Sequence, residues 1–150
     1  ERKLMIGRAL PYIVALVMVA ACSEPAQMEY FCSSDDRDSL GRFCYSLDMS
    51  DSLSTYDIAF YTRIDCSPKD FDALNDVRVD VELVSPAGLS YVETVYLPVE
   101  SFSSRKRCTY DSVVDYRKGL TPVGWGVWQM YLSLPEIQGL RGMGVINGKR

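Results

Sequence analysis

"DVRVDVELVSPAGLSYVETVYLPV", residues 76–99, is the stretch that decides the fold class. Its first half alternates apolar and charged side chains, with Val77, Val79, Val81 and Leu83 on one face and Arg78, Asp80 and Glu82 on the other. This period of two predicts a strand with one face in water. Pro86 and Gly88 then supply turn chemistry, and "SYVETVYLPV" predicts a return strand, so the whole stretch indicates a β-hairpin.

Similar strand signals recur on both sides of this hairpin, in "RFCYSLDMS" (42–50), "TYDIAFYTRID" (55–65), "CTYDSVVDY" (108–116), "VGWGVWQMYLSL" (123–134) and "LRGMGVI" (140–146). The segment 123–134 is apolar on both faces, which predicts a central strand or a strand that meets a partner. No comparable helical period is present after residue 22. Seven to eight short strands at this spacing predict an all-β antiparallel sandwich, of jelly-roll or immunoglobulin-like type.

The N-terminal segment has the pattern of an export signal. Glu1–Arg8 carries three basic residues, and the 14 residues from Ala9 to Cys22 carry no charge. That run is shorter than the roughly 20 residues that a spanning helix needs. A basic start, a short apolar run and small residues at the end are typical of a secretory signal peptide, which would form a helix.

The ending "VAAC" (19–22) resembles the bacterial lipobox, in which small residues precede an acylated cysteine. We therefore expect a signal peptide over 1–21, lipid attachment at Cys22, a tether over 22–27 and a domain over 28–150. Two or three acyl chains would anchor the protein to a membrane without a spanning helix. An ordinary signal peptide, or a buried helix with a chance cysteine, is the alternative.

Composition excludes several functional classes. Removing Glu1 and three basic residues with the signal leaves 19 acidic and 13 basic residues, a net charge of −6. This argues against a nucleic-acid partner, and "RKR" at 105–107 predicts a solvated loop. The chain has no histidine, which excludes histidine triads and HExxH zinc sites. The acidic stretch "SSDDRDS" (33–39) predicts a solvated turn, since it lacks the pattern of a calcium loop. No cofactor, metal or small-molecule ligand is expected.

The remaining cysteines are even in number. With Cys22 lipidated, four are left, at Cys32, Cys44, Cys66 and Cys108. Disulfides persist in exported proteins, so one or two bonds are expected. Four cysteines allow three pairings, and sequence does not select among them. Free buried thiols are the alternative.

Two further sets of side chains could carry function. Carboxylate pairs can hydrolyse glycosides, and the candidates by type are Asp57, Asp65, Asp80, Glu82 and Glu93. Solvated carboxylates are their default role, so no enzymatic activity is expected. Trp125 and Trp128 fall on opposite faces of a regular strand, so at least one of them could form an exposed aromatic platform for a glycan or a protein. The alternative is that both lie in the core.

The order of these motifs resembles the gliding-motility lipoprotein GldH family of Bacteroidota. The likeness covers about 55–146, and its matched positions are Tyr56, Asp57, Arg63, Pro86, Gly88, Thr94, Met130, Leu140, Gly142 and Gly144. Two segments depart from the family pattern, "DCSPKDFDALND" (65–76) and "ESFSSRKRCTYD" (100–111). The resemblance implies a non-enzymatic lipoprotein of the outer membrane, linked to gliding machinery and associated secretion. Of the family's functional residues, only the lipidated cysteine is carried over.

The sequence thus predicts an envelope lipoprotein with a structural or accessory role in a protein complex. The alternative is a glycan-binding surface lipoprotein. A complex subunit should show an exposed apolar strand or patch, whereas a glycan binder should show exposed aromatic rings beside polar groups. An enzyme would need carboxylates that converge in a cleft.

Overall fold

The computed structural model describes residues 27–150 as two packed antiparallel sheets. The nine strands of this region are β1 (Gln27–Ser33), β2 (Phe43–Met49), β3 (Tyr56–Asp65), β4 (Val77–Val84), β5 (Ser90–Leu97), β6 (Phe102–Lys106), β7 (Thr109–Leu120), β8 (Gly126–Ser133) and β9 (Leu140–Lys149). Its one α-helix is the short α1 (Pro68–Asp72), and 3₁₀ turns occur at Ser34–Asp36 and Val99–Ser101. The predicted all-β sandwich is confirmed.

The strands pair in a fixed order within each sheet. Sheet A has five strands in the order β1-β9-β3-β7-β6, and sheet B has four in the order β2-β8-β4-β5. All pairs are antiparallel. The predicted hairpin is β4–β5, and its loop is closed by a hydrogen bond from the Ser85 N–H to the Leu89 carbonyl at 2.8 Å. The left-handed φ of +87° at Gly88 is the reason this turn uses glycine.

The core lies between the sheets and follows the period-two pattern of the sequence. Val77, Val79 and Val81 of β4 are buried, while Arg78 is exposed. Strand β8, apolar on both faces, is central in sheet B, as the sequence predicted. The largest fully buried side chains are Tyr56, Phe43, Phe60, Leu47, Met49, Ile58, Ile64, Leu97, Met130, Leu132 and Met143.

Three elements were missed by the sequence analysis. Strand β1 begins at Gln27, one residue inside the predicted tether. Strand β6 is short, basic and almost wholly exposed, so it carries no hydrophobic alternation. Helix α1 begins after Ser67, whose hydroxyl accepts the Asp70 N–H at 3.1 Å, and Pro68 occupies its first turn. The acidic segment 33–39 holds the first 3₁₀ turn and forms a surface turn.

The predicted signal helix, the lipid site at Cys22 and most of the tether lie outside residues 27–150. Within that range, no helix is long and apolar enough to cross a membrane.

Candidate functional site: the β5 edge and the cleft beneath it

Strand β5 forms a free edge of sheet B. Within the described domain it pairs only with β4, through eight consecutive residue pairs without a bulge. Val92 is 74% exposed and Tyr96 is 61% exposed. Edge strands in soluble proteins are usually protected by charged side chains, proline or bulges. Residues 90–97 contain no lysine, proline or bulge, and their one charged side chain, Glu93, faces inward and is paired with Arg117. By contrast, the edge strand β6 of sheet A carries Arg105 and Lys106 and a register irregularity.

A cleft between the two sheets opens directly below this edge. We call it the inter-sheet cleft; its lining includes Leu83, Tyr91, Glu93, Tyr116, Leu120 and Trp128. Its volume is about 220 Å³, and an adjoining hollow at Tyr91, Val92 and Glu93 adds about 260 Å³. The Tyr91 and Trp128 rings lie 5.9 Å apart between centroids. Because Tyr91 and Glu93 face the same side as the buried Val81, alternate residues of β5 point toward the cleft.

A small polar network stands at the mouth of the cleft. The Glu93 carboxylate accepts hydrogen bonds from the Tyr116 hydroxyl and the Arg117 guanidinium. The Tyr116 ring stacks on Phe60 with centroids 4.7 Å apart. The hydrogen bond from Tyr116, followed by that from Arg117, lowers the pKa of Glu93 below its usual range. Burial raises the pKa of Tyr116, and the hydrogen bond to Glu93 raises it further. The network therefore holds an ionised carboxylate between the two sheets.

The edge and the cleft together have the properties of a strand-binding surface. A strand added to β5 would bond its backbone to unpaired N–H and C=O groups. Alternate side chains of that strand would point toward the inter-sheet cleft, where apolar walls surround one ion pair.

The candidate carboxylates are bonded to separate partners. Asp57 accepts hydrogen bonds from Arg150 at 2.7 and 2.8 Å, and Asp65 is paired with Arg141 at 3.3 Å; both lie on β3. On β4, Asp80 accepts the Thr94 hydroxyl at 2.6 Å and Glu82 accepts the Ser90 hydroxyl at 2.9 Å. The structure brings none of these four together with Glu93 in the inter-sheet cleft.

The two tryptophans occupy different environments. Trp128 is 5% exposed and donates its indole N–H to the Gly124 carbonyl at 2.8 Å. It is therefore a core residue at the floor of the inter-sheet cleft, so of the two tryptophans offered for an exposed platform Trp128 is not available. Trp125 precedes β8 and is 40% exposed.

The four described cysteines, Cys32, Cys44, Cys66 and Cys108, are free thiols in this structure. Cys44 is exposed and donates to Asp38 Oδ2 at 3.5 Å, while the other three are half-buried. The expected disulfide bonds are thus not formed here.

A second concavity lies on the outer face of sheet A. Here Phe31 and Tyr61 cover two glycines of β9, and their rings meet edge to face at 6.1 Å. A Cβ atom at Gly142 would lie 2.5 Å from Phe31 Cζ, and one at Gly144 would lie 3.2 Å from Tyr61 Cβ. The groove has a volume of about 550 Å³ and includes Arg63. Its glycines therefore make room for aromatic side chains.

The sequence pattern predicts the strands that form this site, but it does not predict that β5 lies at an edge above the inter-sheet cleft. Tyr91 and Tyr116 were seen only as parts of strands, and Glu93 only as a carboxylate by type. The available signal was that β5 has apolar residues on both faces, including Val92 and Tyr96, although it adjoins a surface turn. That pattern can be interpreted as a partner-binding strand only once the strand is known to lie at a sheet edge.

No family model, curated protein or solved structure matches the chain. Within residues 27–150, no group of three or more histidine, cysteine or carboxylate side chains could hold a metal ion.

Proposed function

We propose that this protein is an envelope lipoprotein, anchored to the outer membrane through Cys22, whose β-sandwich is a non-enzymatic docking subunit of a protein complex. The observation that carries the proposal is the unprotected edge of β5 above an apolar cleft. The partner contributes an extended segment that adds to β5 as a fifth strand of sheet B.

The exposed side chains of β5 support this role. Leu89, Tyr91, Val92 and Tyr96 are all at least 44% exposed within one hairpin. Val92 and Tyr96 lie on the outer face of β5, opposite Glu82 and Arg78, whereas Tyr91 faces the inter-sheet cleft, so apolar side chains are exposed on both faces of this edge strand. Exposed apolar side chains on a sheet edge are a common feature of interaction sites. Its register with β4 has no bulge, so the free backbone groups of β5 form an uninterrupted row to which a strand can be added.

The resemblance to the GldH lipoprotein family supports the assignment to an envelope complex associated with gliding or secretion. Pro86 and Gly88, which carry part of that resemblance, form the turn that leads into β5. The net negative charge is consistent with a protein partner rather than a nucleic acid.

Site-specific photo-crosslinking in intact cells tests the proposal. A photoreactive amino acid replaces Val92 on β5, and the matched control carries it at Ser103 on β6, an edge strand of sheet A. We expect a crosslink to a motility or secretion component from position 92 and none from position 103. Equal products from both positions, or products with glycan-uptake proteins, would contradict the docking role.

A second candidate function is glycan binding in the groove of sheet A. The observation in its favour is that Phe31, 55% exposed, and Tyr61 lie beside Arg63 in a concavity of ligand size. Affinity electrophoresis against a panel of polysaccharides would test it, with Phe31→Ala as the variant and Val127→Ala as the control on sheet B. Retardation of the wild type and of Val127→Ala, but not of Phe31→Ala, would favour this candidate.

A further inference from the structure

The turn between β6 and β7 places one cysteine opposite another at the end of β3. The β3–β7 ladder ends at the pair Asp65 and Thr109, and the next residues are Cys66 and Cys108. The Cys66 N–H donates to the Cys108 carbonyl at 3.1 Å. Opposed residues in an antiparallel pair have Cα atoms about 4.5–5.5 Å apart. That separation lies within the range of about 4.4–6.8 Å that a disulfide bond requires.

The two cysteines are half-buried at the same end of the β3–β7 ladder. Ile64, two residues before Cys66, points into the core, so Cys66 points inward as well. Cys108 follows the last β3–β7 pair in the turn, and the hydrogen bond from the Cys66 N–H holds its backbone beside that residue. Proximity and shared burial therefore favour a bond.

The backbone at Cys108 gives a second, independent observation. Its φ is +65°, and within residues 27–150 it is the one non-glycine residue with a positive φ. Glycine or asparagine adopts this conformation more easily than cysteine does. A cysteine held in a backbone conformation that is unfavourable for it indicates that its side chain has a role at this position.

The other two cysteines do not oppose each other. Cys32 lies on β1 of sheet A and packs against the core, where its thiol donates to the carbonyls of Ser33 and Asp36. Cys44 lies on β2 of sheet B between the buried Phe43 and Tyr45, so it faces outward. The two thiols extend from different sheets in different directions.

We propose that Cys66 and Cys108 form a disulfide bond in the mature protein, while Cys32 and Cys44 remain thiols. Two S–H bonds break and one S–S bond forms, with the release of two protons and two electrons. The electrons reduce the disulfide of a protein oxidant, or of glutathione disulfide in vitro, to two thiols. The bond would close a loop that contains α1, β4, β5 and β6, and so would tie the β5 edge to sheet A.

Peptide mapping without reduction tests the pairing directly. The full chain is isolated from membranes after free thiols are blocked with N-ethylmaleimide, and is then cut with trypsin. Cleavage after Arg63, Lys69, Arg107 and Arg117 isolates peptides 64–69 and 108–117. We expect these two peptides linked to each other, with the maleimide on Cys32 and Cys44. Maleimide on Cys66 and Cys108, or a bond from either of them to Cys32 or Cys44, would overturn the proposal.

Thermal unfolding with and without dithiothreitol gives a second readout. Closing a loop of about 40 residues should raise the Tm by about 10 °C, and the reductant should remove that increase. The Cys66→Ser, Cys108→Ser double variant should show no response to reductant. The control, Cys32→Ser with Cys44→Ser, should respond as the wild type does. Equal responses from the two double variants would refute the pairing even if one of them were less stable.

Discussion

At the scale of single residues, Glu93 is the side chain that links the two sheets at the mouth of the inter-sheet cleft. Its carboxylate is bonded to Tyr116 and Arg117 of β7, and these bonds lower its pKa. A carboxylate whose pKa is lower in the folded state stabilises the fold above its unfolded pKa of about 4.3. This contribution is lost as the pH falls through the lower folded pKa.

Glu93→Gln should therefore destabilise the protein at pH 7, and the difference from wild type should vanish as the pH falls below about 4. The expected difference at pH 7 is below about 1 kcal/mol, because the side chain is 38% exposed. Urea unfolding from pH 7 to pH 3 measures it. The control is Glu136→Gln in the exposed turn before β9. A difference that stays constant with pH would show that ionisation of Glu93 does not contribute.

Gly142 gives a prediction about close packing on β9. A Cβ atom there would lie 2.4 Å from the Cys32 carbonyl oxygen, which is backbone and cannot rotate away. Gly142→Ala should therefore cost about 1–3 kcal/mol in unfolding free energy. Gly148→Ala on the same strand is the control, since its Cβ would make ordinary contact at 3.7 Å with the Asp57 carbonyl. Equal stability of the two variants in urea would contradict the packing of β1 on β9.

At the scale of secondary-structure elements, the free edge of β5 is the feature that determines the proposed role. Val92→Lys with Tyr96→Lys should abolish partner capture, because charged side chains on an edge strand oppose strand addition. Both positions are exposed, so the unfolding free energy should change by less than about 0.5 kcal/mol per substitution.

The matched control for this double variant is Val127→Lys. Val127 is 50% exposed in the same sheet, but it lies on the central strand β8. Membrane co-purification followed by mass spectrometry compares the variants. The prediction fails if the control loses the partner to the same extent as the double variant.

The elements also show what the sequence could and could not reveal. Strands β4 and β8 were predicted because burial of one or both faces leaves a direct pattern in hydrophobicity. Strand β6 was missed because only its first residue, Phe102, is buried. The site depends on which strand lies at an edge. That is set by the pairing order β2-β8-β4-β5, which joins residues far apart in the chain.

The same limit explains the tryptophans and the cysteines. Trp125 and Trp128 have the same residue type and similar neighbours, and only the position of the opposite sheet decides which of them is buried. Likewise, one helix and three strands separate Cys66 from Cys108 in the sequence, and the β3–β7 register brings them together.

At the scale of the whole molecule, the proposal requires that the domain be tethered to a membrane. Cells fed radiolabelled palmitate should incorporate label into the wild-type protein and not into Cys22→Ala. The reason is that the thiol of Cys22 accepts the diacylglycerol and the new amine accepts the third chain. Cys44→Ala, which removes an exposed thiol of the folded domain, is the control and should keep the label. Label in Cys22→Ala would contradict lipid attachment at this residue.

The measurement that tests the central claim most directly is hydrogen exchange of the β5 amides. The full chain is compared in native membranes and after purification in detergent. Peptides covering 90–97 should exchange at least about tenfold more slowly in the membrane, because a partner strand bonds the free edge. Peptides covering β6, an edge strand of sheet A, should be unchanged. Identical exchange of 90–97 in both samples would contradict the claim that β5 accepts a partner strand.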